Sequence, residues 1–205
     1  MAAKIGGMVM GPVATNCYYI YDEETGKALV FDPPVAGEKI YERLTDKGLT
    51  ICAILITHGH FDHISGADGL RKASNARIFA PALEKEMLLD PELNLSDEGI
   101  SLAADVYVND GDEPELGTFH VQVFSTPGHT SGGCCYYLPE EKILISGDTL
   151  FAQSVGRTDL PTGSSSTLIR SIREKLMPLP DDVAVYPGHG ESTTIGYERK
   201  YNPFI

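Results

Sequence analysis

The fold and the chemistry of this chain are decided by one stretch, Thr57-His58-Gly59-His60-Phe61-Asp62-His63. It holds three of the six histidines in a chain of 205 residues, a clustering that scattered histidines would rarely produce. The apolar run that precedes it, residues 51–56, predicts a buried strand. Four metal-capable side chains at the end of such a strand indicate a metal site.

The spacing within this stretch predicts how its side chains share metal ions. His58 and His60 are two residues apart, so in an extended segment they point to the same side and reach one ion together. Asp62 and His63 fall where the chain turns toward a helix predicted over residues 65–73, and there they face a second ion. A closed structural zinc site is the alternative, but such sites are usually rich in cysteine and this motif has none.

Three further polar residues follow apolar runs in the same way. His129 lies in a Pro-Gly turn after a strand predicted over residues 119–124, and Asp148 and His189 each follow a short apolar run. Loops at strand ends are where a rigid scaffold presents reactive groups. Each of these signals is weak alone. Together with the first motif they give five histidines and two aspartates, enough to hold two metal ions.

This pattern resembles the metallo-beta-lactamase superfamily over nearly the whole chain. The resemblance implies an α/β fold, a four-layer αβ/βα sandwich with a binuclear metal site at one edge of its two sheets. The implied ligands are His58, His60 and His129 for the first ion, Asp62, His63 and His189 for the second, and Asp148 bridging both. Asp62 and Asp148 would also be the catalytic carboxylates beside the metal-bound hydroxide. Zinc is the expected metal, although iron and manganese accept the same ligand types.

Local stretches narrow the resemblance to one group of the superfamily. Residues 147–151, 156–161 and 187–205 are similar to glyoxalase II, also called hydroxyacylglutathione hydrolase, in its short single-domain form. The resemblance implies one domain, residues 1–205, without the C-terminal helical domain of full-length glyoxalase II. That domain helps to hold glutathione, so the preference for glutathione stays open.

Other members of the superfamily are alternatives. Many true metallo-beta-lactamases have a cysteine in place of Asp148 and an arginine in place of His63, and are therefore disfavoured. Iron-dependent persulfide dioxygenases share the Gly-Arg-Thr-Asp stretch at residues 156–159, but they usually keep an arginine where this chain has Phe204. A lactonase or another ester hydrolase using the same site is a further alternative. Outside enzymes, the alternative is a metal-stabilised binding protein.

The chemistry that two such ions support favours thioesters. Ions roughly 3.5–4 Å apart share a water and lower its pKa toward about 7, and one ion stabilises the oxyanion that forms. A thiolate leaves readily near neutral pH, so no strong general acid is required. The predicted substrate is a 2-hydroxyacyl thioester, such as S-lactoylglutathione or a related thiol ester.

Two residues outside the ligand set are candidates for supporting roles. Arg157 stands where the resembling family places a basic residue on its substrate loop, and it is the predicted substrate-binding residue. Asp32 stands at a strand end before two prolines. An aspartate in that position either orients a metal-binding histidine by accepting its hydrogen bond or forms a turn.

Composition limits the function further. With 16 basic and 29 acidic residues, the formal net charge is −13, which repels phosphate backbones and disfavours nucleic-acid binding. No segment approaches the roughly 20 apolar residues of a membrane span. The chain start lacks the apolar core of a signal peptide. We therefore expect a cytoplasmic protein that acts on a small molecule, with its oligomeric state open.

Strand and helix signals alternate along the rest of the chain. A helix is predicted over residues 38–47, and another over residues 164–177. Residues 102–115 are acidic and turn-rich and are expected to form a surface connection. His120 is expected on the solvated face of the strand over residues 119–124. The four cysteines lack zinc-ribbon spacing and are expected to be small buried residues.

Overall fold

The computed structural model describes residues 3–205. The strands are β1 (Ala3–Met10), β2 (Thr15–Asp22), β3 (Lys27–Phe31), β4 (Thr50–Leu55), β5 (Arg77–Pro81), β6 (Val106–Val108), β7 (Gln122–Ser125), β8 (Cys134–Leu138), β9 (Ile143–Gly147), β10 (Leu150–Phe151), β11 (Ser154–Val155), β12 (Ala184–Pro187) and β13 (Thr193–Thr194). The helices are α1 (Gly37–Thr45), α2 (Phe61–Ile64), α3 (Ala67–Ser74), α4 (Lys85–Leu89), α5 (Ser165–Ser171) and α6 (Ile195–Tyr201). A 3-10 turn (Ala82–Glu84) precedes α4, and a π-helical segment (Ile172–Leu176) continues α5.

The strands form two main sheets. The first has six strands in chain order from β1 to β6, and the second has five in the order β13-β12-β9-β8-β7. In the first sheet, β1, β2 and β3 pair antiparallel, whereas β3 to β6 pair in parallel. In the second sheet only β9 and β12 pair in parallel. A small separate hairpin joins β10 and β11.

The central strands of both sheets are buried on both faces, and successive side chains of these strands point to opposite sides. In β3, Val30 packs toward the N-terminal helices and its neighbour Leu29 packs into the space between the sheets. In β8, Cys134 faces between the sheets and Cys135 faces the C-terminal helices. The chain therefore builds three apolar layers, one between the sheets and one on the outer face of each.

The helices cover the two outer faces. Ile40 of α1 and Leu70 of α3 lie fully buried on the first sheet, and Leu168 of α5 and Ile195 of α6 lie fully buried on the second. The resulting order of layers is helices, sheet, sheet, helices. This is the four-layer αβ/βα sandwich that the sequence predicts. Within residues 3–205, no helix is both long and apolar enough to cross a membrane.

The structure differs from the sequence-based expectations at two connections. Residues 102–115, expected to be a surface connection only, contain β6, which pairs in parallel with β5. The strand expected from residue 119 begins at Gln122, because Leu116 and Phe119 first pair across a tight turn. His120 therefore precedes β7, and its half-exposed imidazole lies beside Glu113. Both differences come from pairings that a local pattern does not show.

The layer between the sheets is expected to carry much of the stability. Leu55 at the end of β4 is fully buried there, and we expect Leu55→Ala to lower the free energy of unfolding by about 2–5 kcal/mol. Leu83→Ala removes the same atoms from a side chain that is 71% exposed, and should change stability by less than about 0.5 kcal/mol. Urea unfolding of both variants measures the difference. Equal effects would contradict this account of the core.

Candidate metal centre

The predicted ligands meet at one edge of the sandwich. They follow the carboxyl ends of β4 in the first sheet and of β7, β9 and β12 in the second. Most are buried, and His189 is the most accessible, with 30% of its side chain exposed. The side chains that the structure brings together are His58, His60, Asp62, His63, His129, Asp148 and His189.

The first predicted ligand group has the dimensions of a site for one ion. His58, His60 and His129 each offer a nitrogen, and these atoms lie within 4.8 Å of one another. Nδ1 of His60 is 3.0 Å from Nε2 of His129. Tetrahedral ligands at 2.0–2.1 Å from zinc lie roughly 3.4 Å from one another. The nitrogens are thus close enough to share an ion without a large rearrangement.

The second group is equally compact and is joined to the first through Asp148. Oδ2 of Asp62 lies 3.3 Å from Nε2 of His63 and 3.2 Å from Nε2 of His189. Asp148 places Oδ1 3.5 Å from Nε2 of His63. Its Oδ2 lies 3.5 Å from Nε2 of His129 and 3.6 Å from Nε2 of His189. Asp148 therefore approaches donors of both groups, as a bridging carboxylate requires.

Unsatisfied polar atoms show that this cluster fits metal ions. Five buried side-chain nitrogen or oxygen atoms in the described part of the chain have no hydrogen-bond partner. Four of them belong to the cluster, namely Nε2 of His58, His60 and His63, and Oδ1 of Asp148. Buried polar atoms without a partner are rare and costly. Coordination to divalent ions would satisfy Nε2 of His58 and His63 and Oδ1 of Asp148, whereas His60 faces His129 through Nδ1, so the cluster is compatible with binuclear metal binding.

The titration of the cluster reflects its burial and its carboxylates. Burial, followed by the neighbouring imidazoles, lowers the pKa of His58 far below its usual value and that of His60 to about 3. Both rings are therefore neutral, the form in which histidine binds metals. Burial also opposes the charge on His63, but Asp62, Asp148 and Asp32 outweigh it and raise the pKa of His63 well above its usual value. The three carboxylates thus favour the protonated form of the His63 imidazole.

Asp32 contacts the predicted ligand His63 directly and the predicted ligand His58 through Thr57. Its Oδ2 lies 3.1 Å from Nδ1 of His63 and accepts a hydrogen bond of 2.7 Å from the Thr57 hydroxyl. Because the hydroxyl hydrogen of Thr57 points to Asp32, the hydroxyl oxygen accepts a hydrogen bond of 3.0 Å from the N–H at Nδ1 of His58. With Nδ1 occupied, His58 and His63 both direct Nε2 into the cluster. Of the two roles predicted for Asp32, these contacts favour orientation of a histidine.

Other ligands are fixed by contacts that no sequence motif indicates. The buried Thr15 donates a hydrogen bond of 2.7 Å to Oδ2 of Asp62. Nδ1 of His129 donates to the backbone oxygen of Arg157 at 2.7 Å. The Arg157 side chain itself is 62% exposed and forms two hydrogen bonds of 2.8 Å with Asp159. Thr15 has no local signal, because it reaches Asp62 only through the folding of β2 against the motif.

Two glycines allow the loops to approach closely. A Cβ atom at Gly188 would overlap Oδ1 of Asp148, and one at Gly156 would overlap the backbone oxygen of Asp148. Any other residue at these positions would push the neighbouring loop away from the cluster. The glycines beside His189 and Arg157 are therefore part of the geometry of the centre.

The fold and the cluster together define a class of protein. It is an αβ/βα sandwich whose sheets share one edge occupied by five histidines and two aspartates. The sequence model of the metallo-beta-lactamase superfamily matches residues 10–189. The chain belongs to this superfamily, as its sequence motifs indicate.

Relatives of similar length support the assignment. The probable metallo-hydrolase YqgX of Bacillus subtilis is 39% identical over 203 residues, which cover 97% of this chain and 95% of YqgX. The hydroxyacylglutathione hydrolase GloC of Haemophilus influenzae is 36% identical over 197 residues, which cover 93% of this chain and 92% of GloC. The resemblance therefore extends over whole chains rather than over the metal motifs alone.

Solved structures of the same fold differ in their described chemistry. The BLEG-1 B3 metallo-beta-lactamase has a TM-score of 0.93 and 40% identity, over 98% of this chain and 99% of its own. TTHA1623, solved in a di-iron-bound form, has a TM-score of 0.84 and 32% identity, over 98% of this chain and 100% of its own. ETHE1 from Myxococcus xanthus has a TM-score of 0.82 and 30% identity, over 98% of this chain and 83% of its own.

Removing one ligand of the second group should remove one ion. We expect the parent protein to bind two ions per chain and His189→Ala to bind one, because His189 is predicted to serve only the second ion. Its partial exposure makes it the ligand whose loss disturbs the fold least. Metal analysis after stripping with a chelator and reloading measures the stoichiometry. His120→Ala is the matched control, since His120 lies outside the cluster beside Glu113. An unchanged stoichiometry in His189→Ala would contradict the assignment.

Proposed function

We propose that this protein, a metallo-hydrolase of the metallo-beta-lactamase superfamily, hydrolyses a thioester. The proposed substrate is a 2-hydroxyacyl thioester such as S-lactoylglutathione, or a related low-molecular-weight thiol ester. The observation that carries the proposal is that the carboxylates at the cluster are already engaged: Asp62 and Asp148 are candidate metal ligands, and Asp32 is held by Thr57 and His63, which leaves none of these three free to serve as a general acid. A thiol has a pKa of about 8.5, so a thiolate departs near neutral pH without a dedicated acid. The similarity to GloC supports the same reaction.

In this mechanism the protein side chains hold the metal ligands, including their charged carboxylates, in position. Two divalent ions bound at the cluster would supply a hydroxide nucleophile at neutral pH and a positive charge opposite the developing oxyanion. Asp32 and Thr57 hold the rings of His63 and His58 with Nε2 facing inward. Thr15 holds the carboxylate of Asp62. These contacts fix the ligands before substrate arrives, so little reorganisation remains for the reaction.

Zinc is the metal that we propose, at both positions. Nitrogen and carboxylate ligands at a site with an open position are typical of catalytic zinc. The similarity to the di-iron form of TTHA1623 favours iron as the second candidate. Metal analysis of protein purified from its native host distinguishes the two.

Arg157 is the residue that we propose to bind the substrate. It lies on the loop that touches His129, and its guanidinium reaches solvent. A glutathione-type thioester carries carboxylates, which a guanidinium binds through paired hydrogen bonds. Such a substrate would compete with Asp159 for the same donors. We further propose that residues 1–205 act as one domain on small molecules in the cytoplasm, away from nucleic acid and membranes.

A substrate panel tests the reaction. We expect metal-loaded protein to hydrolyse S-lactoylglutathione and related 2-hydroxyacyl thioesters, and Asp148→Asn to lose this activity because the two ligand groups are no longer bridged. The release of free thiol, followed with a thiol-reactive dye, measures turnover. No turnover on any thioester, with both metal positions loaded, would sink the proposal.

The alternative reactions are tested by adding a β-lactam, glutathione persulfide and lactones to this panel. Cleavage of a β-lactam in preference to thioesters would place the protein with BLEG-1. Oxygen consumption with glutathione persulfide, followed with an oxygen electrode, would indicate the persulfide dioxygenase alternative, whose Gly-Arg-Thr-Asp stretch residues 156–159 resemble. Preferential turnover of lactones would indicate a lactonase. Each of these results assigns a different reaction to the same centre.

Replacement of Arg157 separates substrate binding from chemistry. We expect Arg157→Ala to raise KM for an anionic thioester by about tenfold, with kcat little changed, because a lost charged hydrogen bond to the substrate affects ground and transition states alike. The backbone oxygen that holds His129 remains in this variant. Arg173→Ala is the control, because Arg173 is exposed on the π-helical segment that continues α5. A large fall in kcat at constant KM would contradict a binding role.

A further inference from the structure

A buried carboxylate that is not a predicted ligand lies between two of the metal-binding loops. Glu84 ends the 3-10 turn that follows β5, and its side chain is fully shielded from solvent. Its Oε2 accepts a hydrogen bond of 2.7 Å from the backbone N–H of Gly59. Its Oε1 accepts one of 2.8 Å from the backbone N–H of Gly132. Each oxygen thus serves a different loop.

These two loops carry the predicted ligands of the first ion. Gly59 separates His58 from His60, and Gly132 follows His129 by three residues. The first loop extends from β4 of one sheet, and the second connects β7 and β8 of the other. A single carboxylate therefore links the two sheets at the point where their histidines must meet.

We propose that Glu84 is a positioning residue for the first metal ion. It acts through the backbone of the two loops and sets the separation between His129 and the pair His58 and His60. Hydrogen bonds from N–H groups to a carboxylate are shorter and stronger than those to a neutral acceptor. This inference depends on the metal centre and not on the identity of the substrate.

The cost of burying the Glu84 carboxylate supports its role in positioning the two loops. Burial raises the pKa of the Glu84 carboxyl, and the hydrogen bonds from the two loops oppose that rise. Burying a carboxylate is costly unless its oxygens are satisfied. The cost is offset only while both loops stay in place, so the residue resists any displacement of either loop.

The experiment compares two glutamates that are close in sequence. Glu84→Gln preserves shape but turns one acceptor oxygen into an NH₂ donor, which then faces a backbone N–H and breaks one of the two links. We expect the affinity for the first Zn²⁺ to fall by about 10- to 100-fold, the range for residues that orient metal ligands. Glu86→Gln makes the same chemical change at an exposed position of α4 and should leave both affinities unchanged.

Zn²⁺ affinities are measured by competition with a chromophoric chelator, and both ions are followed. The second ion should be affected less, because the two amides that donate to Glu84, those of Gly59 and Gly132, lie beside predicted ligands of the first ion and away from His189. Parent-like affinity for both ions in Glu84→Gln would overturn the proposal. A fall of equal size in Glu86→Gln would also overturn it.

A second measurement needs no variant and remains decisive if Glu84→Gln does not fold. In the metal-free parent protein, the amides of Gly59 and Gly132 should exchange slowly with deuterium, because both are buried donors to Glu84. Rapid exchange at these two amides, with the neighbouring strands protected, would refute the link. Neither readout uses thioester turnover. A protein that binds both ions but cleaves no thioester would contradict the proposed function and leave the role of Glu84 standing.

Discussion

The structure depends on the hydrogen bonds that hold the end of β4 against the opposite sheet. The backbone oxygen of Thr57 accepts from the N–H of Cys134 at 2.9 Å, and that of Ile56 accepts from the hydroxyl of Tyr136 at 2.9 Å. Strands of two packed sheets otherwise meet only through side chains, which tolerate sliding. Here a hydrogen bond between main-chain groups of Cys134 and Thr57 joins the two sheets, directly beside His58. The histidine motif therefore has a fixed position relative to the loops of the second sheet.

A second set of backbone contacts closes the other side of the centre. The N–H of Asn16 donates to the oxygen of Gly188 at 2.7 Å, and its side chain donates to the oxygens of Pro187 and Gly190. The loop of His189 is thus attached to the start of β2, next to Thr15, which holds Asp62. Metal coordination tolerates errors of only about 0.2 Å in ligand distance. Buried hydrogen bonds in which main-chain groups take part join the loops of the two sheets, and they limit how far the candidate ligands can shift.

The sequence predicts the ligands better than their supports, and the reason is physical. A candidate ligand such as Asp148 leaves a local trace, an apolar run that is followed by glycine and a metal-capable side chain. Glu84 leaves none, because it lies near Glu86 in an amphipathic segment and only the folded chain shows that one is buried and the other exposed. The four layers are expected from the resemblance to the superfamily, and the alternating strand and helix signals agree with them. The short strand β6 is not expected, because its pairing with β5 is decided by distant residues.

The groups that would hold metal ions in this centre differ from the groups that would select a substrate. Relatives with 36% and 40% identity to this chain are described as a hydroxyacylglutathione hydrolase and a B3 metallo-beta-lactamase, so a shared fold is compatible with different acyl substrates. The loop at residues 156–159 combines a support of a predicted ligand with the side chain that we propose to bind the substrate. The backbone of Arg157 fixes His129, whereas its side chain points to solvent and pairs with Asp159. Side chains on this loop can therefore change without moving a metal ligand, and substrate preference can diverge while the cluster stays intact.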